Sequence, residues 1–176
     1  MLHNLFSRWL RLLAGRPCFR IYGKSKAETD WRVIDVVATH RRDRLSRLPL
    51  WSGCCITWSN AVIAVGWDFA ERVLAEQAAA PASRDKPVEV QGGRIRSSDR
   101  AVPVLASEVL AHECGHTWQA RRLGALYWLV GGTFTLFREG RHLWNGFENQ
   151  ASEMGQFGGI VNGSVCPELM ARLCPH

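Results

Sequence analysis

Residues 109–122 read VLAHECGHTWQARR, and the fold turns on whether this stretch is one buried helix. Pro103 stands just ahead of the periodic segment and Gly124 just behind it. Proline in the first turn and glycine past the last are start and stop signals, so a helix is expected from about Val104 to Leu123. Leu105, Val109, Leu110, Ala111 and Cys114 give it an apolar interior, which predicts a helix packed inside the domain. On that helix His112 and His116 lie one above the other, and Glu113 follows about 100° round the axis. Two close histidines on a buried helix need a partner, because an unpaired polar group away from water is costly.

A metal ion is the partner that this pattern suits. Zinc is held well by neutral imidazoles, and a catalytic site uses three protein ligands and leaves a position for water. The ion acidifies that water, and a neighbouring carboxylate takes its proton. H-E-x-x-H places two ligands and the base within little more than one helical turn. His112 and His116 are therefore candidate ligands of a single zinc ion, and Glu113 is the candidate general base. The alternative is a helix whose two histidines merely share a face.

The third ligand separates the classes of such sites. In the long H-E-x-x-H-x-x-G-x-x-H pattern a third histidine would follow, but Gln119 stands at the glycine position and Arg122 at the last histidine position. A glutamate on a later helix is the other common solution, and Glu139, Glu148 and Glu153 are available. Glu148, in WNGFENQASEMGQFGG, is the preferred ligand. It is far enough beyond His116 for a second helix to return antiparallel, and Ala151 and Gly155 are small enough to let two helices approach closely. Glu153 points elsewhere on that helix and is expected to be solvated. His142 is a candidate catalytic donor to a tetrahedral intermediate, with Tyr127 and Arg141 as weaker candidates. Glu108, one turn before His112, is a candidate to orient a ligand imidazole. His3, His40 and His176 have no local company and read as solvated.

A chain of 176 residues, 47% hydrophobic, can bury one sizeable core and is too short for two ordinary domains. Its 22 Lys and Arg against 16 Asp and Glu give +6, but the basic residues are scattered and form no nucleic-acid module. A solvated basic surface is the reading, with no nucleic-acid partner. The six cysteines include no C-x-x-C pair, which excludes a zinc ribbon and a thioredoxin motif. Cys166 and Cys174 could close a short disulfide; free thiols in a reducing compartment fit equally well.

The N-terminal MLHNLFSRWLRLLAGRP carries Arg8 and Arg11 among its apolar residues, unlike an ordinary secretory signal. It reads as an amphipathic helix packed on the domain, with contact to a membrane surface or a partner as the alternative. The apolar run from Gly124 to Phe137 is too short and too glycine-broken to span a membrane, although residues 125–137 could touch a membrane or partner. Synthesis in the cytoplasm is expected, with export by a dedicated system left open. Trp31 to Ala38 is expected to be a strand or a helix. CCITWSNAVIAVGWDF reads as one or two strands, and Phe69 to Ala80 as a short helix. Pro81 to Arg100 reads as loop, and further helices are expected over Leu143 to Gly155 and Pro167 to Leu173.

With both ligand segments identified, the chain resembles the glutamate-zincins, the gluzincin branch of zinc metallopeptidases. LAHECGHTWQARR looks like the H-E-x-x-H-x-x-Q helix of small bacterial zincin-like domains, including a metallopeptidase domain found with contractile injection systems. FENQAS is similar to the segment that supplies the third ligand in some of these proteins, and ITWSNAVIAV to the strand that precedes the active-site helix. The resemblance covers roughly Pro49 to Gly159. It implies an α+β, zincin-like fold in which a small sheet packs on the H-E-x-x-H helix and a second helix carries the third ligand. Residues 1–48 would form the N-terminal helix and lead-in, and residues 49–176 the zincin-like domain, one compact unit overall. One zinc and hydrolysis of peptide bonds in a peptide or protein substrate are implied. A non-catalytic zinc-binding docking module of a bacterial secretion or injection system is the alternative. Cys114 and Gly115, between the ligands, leave the metal geometry undisturbed, but an exposed thiol at Cys114 would be open to oxidation.

Overall fold

The computed structural model describes residues 17–39, 55–59, 61–79, 90–91, 105–127, 129–130 and 141–173. The fold is α+β, with helices on a mixed sheet of strand order β3-β4-β2-β1-β6-β5. The strands are β1 (Phe19–Ser25), β2 (Arg32–Thr39), β3 (Cys55–Ser59), β4 (Val62–Gly66), β5 (Val90–Gln91) and β6 (Gly155–Ile160). The helices are α1 (Trp67–Ala79), α2 (Ala106–Leu123), α3 (Arg141–Met154) and α4 (Pro167–Leu173). β2 and β4 run parallel, and every other neighbouring pair is antiparallel.

Alternation sets the sheet's inner face. Phe19 and Ile21 of β1 are buried while Arg20 and Tyr22, which alternate with them, are exposed. They meet Ile34 and Val36 of β2 and Ile63 and Val65 of β4. Phe69, Ala70 and Val73 of α1, Leu110, Ala111 and Cys114 of α2, Phe157 of β6 and Leu169 of α4 complete the core. Each large apolar side chain in it contributes about 1.5–3 kcal/mol relative to exposure.

The expected strand or helix over Trp31 to Ala38 is a strand, β2, and within CCITWSNAVIAVGWDF the described residues form β3 and β4 and then enter α1. β1 and β2 lie within the lead-in of residues 1–48 and occupy the middle of the sheet, so the fold runs across the 48/49 boundary. The expected helix over residues 1–16 lies outside the described residues, as do Asn60 and most of Pro81 to Arg100. Among the described residues, no helix is long and apolar enough to cross a membrane. Leu126 and Leu129, in the apolar segment after α2, are exposed.

α2 is buried nearly all round, from Ala106 to Ala120 with only Glu108 and Val109 partly open. Its first backbone amides need acceptors. The Glu76 carboxylate of α1 supplies them, accepting from Ala106 N–H at 2.7 Å and Ser107 N–H at 3.0 Å. Glu108, expected beside a ligand imidazole, instead turns back to accept from Leu105 N–H at 3.3 Å, which corrects its role to one at the helix start. At the other end Gly124, at φ 57°, ends the helix and its N–H bonds Ala120 O at 2.9 Å. Arg121 in the last turn pairs with Glu28 of the β1–β2 turn at 2.5 Å.

Candidate metal centre

Close approach of α3 and β6 to α2 builds the site. A Cβ on Gly115 would overlap the backbone of Ala151, and one on Gly155 would overlap the carbonyl oxygen of Ala111. Glycine at both places lets backbone meet backbone. Glu148, near the middle of α3, is thereby brought over the histidine face of α2.

There three donor atoms converge. His112 Nε2 lies 3.0 Å from His116 Nε2, and Glu148 Oε2 lies 2.9 Å from the first and 3.3 Å from the second. A tetrahedral ion with ligand bonds of about 2.0–2.1 Å separates its ligand atoms by about 3.3 Å. The observed triangle therefore fits a metal ion with shifts of a few tenths of an ångström, and the His112, His116 and Glu148 group could hold one. Both histidines are buried, whereas the Glu148 side chain is 28% exposed, so the site opens to one side.

Each imidazole is gripped from behind. His112 Nδ1 lies 2.8 Å from Ser152 Oγ, and His116 Nδ1 lies 2.7 Å from Gln119 Oε1. Gln119 Nε2 donates to Phe147 O at 2.9 Å and to Gln150 Oε1 at 3.0 Å. Glu113 turns toward the sheet edge, where Thr57 Oγ1 of β3 donates to its Oε2 at 2.6 Å and lies 3.0 Å from its backbone oxygen. Thr57 is itself buried. Tyr127 and Phe147 flank His116, with ring centroids 6.4 and 5.5 Å from its own.

The charges follow from this crowding. Burial works to raise the Glu148 pKa, but hydrogen bonds from His112 and His116 outweigh it and hold the carboxyl down at about 2. Burial opposes the charged form of His116, yet Glu148 and Glu113 together leave its pKa raised. The Tyr127 hydroxyl is pushed up, first by burial and then by the Glu113 and Glu148 carboxylates.

Of the residues singled out in the sequence, His112, Glu113, His116 and Glu148 come together here, and Tyr127 lines the same place. The side chains of His142 and Arg141 lie outside the described residues. Glu153 is exposed, as expected of a solvated carboxylate. Cys114 points away from the donor atoms, fully buried, so that a Cβ on Gly23 of β1 would come within 2.5 Å of its sulfur. Cys18, Cys114 and Cys166 are free thiols, which leaves Cys166 outside any disulfide with Cys174. Sequence reasoning missed Thr57, Ser152 and the part played by Gln119. Ser152 follows Glu148 by one turn and Gln119 follows His116 by nearly one, so helical spacing could have found both. No local signal marks Thr57.

No family model, curated protein or solved structure matches the chain.

Proposed function

We propose that this chain is a zinc-dependent peptidase of the gluzincin kind. The observation that carries the reading is the convergence of His112, His116 and Glu148 from two helices, with the Glu113 carboxylate fixed beside them. Two imidazoles and one carboxylate are the donor set that zinc takes in hydrolytic sites, with a position left for water. Among the described residues no fourth His, Cys, Asp or Glu joins the group, as a closed structural site would require. A bound zinc would acidify a water and polarise the peptide carbonyl.

The chain's own residues do the rest. His112 and His116 present Nε2 to the ion, each steadied through Nδ1. Glu148 supplies the third bond and offsets part of the positive charge. Glu113 engages Thr57 through Oε2, and its Oε1 takes the proton of the attacking water and returns it to the leaving amine. Tyr127 and Phe147 form an aromatic wall beside His116 that suits an apolar side chain next to the cleaved bond.

The test is digestion of an unstructured protein by zinc-loaded wild type and Glu113→Gln. Cleavage by wild type that falls at least 100-fold in Glu113→Gln, with zinc kept, supports the peptidase. Equal cleavage by both overturns the role of Glu113, and no cleavage by a zinc-loaded wild type points to a non-catalytic zinc module.

A further inference from the structure

Gln119 holds more than a place on α2. Its side chain is 2% exposed and bonds at both ends, with Oε1 on His116 and Nε2 on Phe147 O and Gln150 Oε1. A backbone carbonyl can only accept, so Phe147 O fixes which end of the amide faces α3: the nitrogen. The oxygen must then face His116. A glutamine oxygen can only accept, so His116 Nδ1 carries a hydrogen, and when the ring is neutral its Nε2 presents a lone pair to the space shared with His112 and Glu148.

His112 differs in this respect. Its partner, Ser152 Oγ, can donate or accept, so that contact leaves the tautomer open.

We infer that Gln119 is a positioning residue that presets His116 as the first metal ligand and sets its register to α3, while His112 adopts its ligand tautomer as the ion arrives. The inference rests on the zinc reading for its metal half only; the tautomer half stands on hydrogen bonds within the metal-free chain. Gln119 touches neither ion nor substrate. It works through His116 on one side and through the backbone of α3, one residue before Glu148, on the other.

The experiment is long-range ¹H–¹⁵N NMR of the histidine rings in the metal-free full-length chain, at a pH where His116 is neutral. It is paired with zinc affinity measured by chelator competition. Wild type is expected to show His116 only as the Nδ1–H tautomer. In Gln119→Leu that tautomer loses its dominance, and zinc affinity falls about 10- to 100-fold. Gln119→Glu keeps an acceptor for Nδ1 but loses both bonds to α3. It should retain the Nδ1–H tautomer and lose less zinc affinity than Gln119→Leu, while melting no higher. A merely structural strut would not give that division.

His116 found as Nε2–H in wild type overturns the inference without any variant having to fold. An unchanged tautomer in folded Gln119→Leu overturns it too. Absence of zinc binding by wild type, with the tautomer as stated, would instead overturn the zinc reading and the metal half of the inference, leaving the tautomer half in place.

Discussion

The two faces of α2 are equally buried and held in opposite ways. Toward the sheet it presents Ala106, Leu110 and Cys114, which need only close packing. Toward α3 and β3 it presents His112, Glu113, His116 and Gln119, buried to within 6% exposure, each of which needs a partner of the right polarity. Those partners come from elsewhere in the chain: Thr57 from β3, and Glu148, Ser152 and the Phe147 carbonyl from α3. The apolar face holds the fold together by packing, whereas the polar face is held by directed hydrogen bonds and gathers the groups that could hold a metal ion. Substitutions on the two faces should therefore separate stability from metal binding.

The largest loss of stability belongs to the apolar face. Leu110→Ala empties a fully buried position and should cost about 2–5 kcal/mol in denaturant unfolding. Zinc affinity of the folded fraction should stay within about twofold, since the cavity faces the sheet.

Gly115→Ala strikes the seam between the faces. Its added Cβ meets the Ala151 backbone, so α3 must move off α2, at about 1–3 kcal/mol. Unlike Leu110→Ala it should also lower zinc affinity at least tenfold, because Glu148 moves with α3. Undisturbed zinc binding in a folded Gly115→Ala chain would break the link between helix approach and site.

Thr57→Val tests the polar face alone. It removes the hydroxyl from a buried carboxylate and should cost about 1–3 kcal/mol, with zinc content kept. Thr57→Ser restores the donor and should recover most of the loss. If valine and serine behave alike, the hydrogen bond from Thr57 does not hold Glu113.

The smallest effect is at the thiols. Burial, reinforced by Cys166, pushes the Cys18 thiol from 9.0 up to about 12, and burial likewise raises Cys114. Only the thiolate reacts, so alkylation of Cys18 and Cys114 in the folded chain should be far slower than after unfolding. Because the folded pKa of Cys18 lies above its unfolded value, its contribution to stability is fully present below about pH 9. It is lost as the pH rises through about 12. Rapid labelling of both thiols in the native protein would contradict this packing.

Much of α2 could be read in advance because its signals are local: Pro103 before it, Gly124 after it, and histidines at helical spacing. α4 was legible for the same reason, since Pro167 opens it. Glu148 was legible because Ala151 and Gly155 marked a close approach. The centre of the sheet was harder. In β1, Gly23 and Ser25 occupy inner positions where alternation calls for large apolar residues, and Gly23 is small because Cys114 packs there. β6 reads GQFGGI, poor in strand-forming residues, yet Gly155 abuts Ala111 and Gly158 lies under the Trp31 ring. These glycines answer to neighbours distant in sequence, which no periodicity records. The role of Glu108 was misjudged for a related reason. One turn from His112 it could have faced the imidazole, but the open backbone amide at Leu105 was nearer.

The most direct measurement is zinc content by elemental analysis of purified wild type beside Glu148→Ala and Glu113→Gln, followed by X-ray absorption on the loaded protein. One zinc per chain with nitrogen and oxygen neighbours at about 2.0–2.2 Å, lost in Glu148→Ala and kept in Glu113→Gln, is the predicted result. Full zinc in Glu148→Ala, or none in wild type, would contradict a metal centre built from α2 and α3.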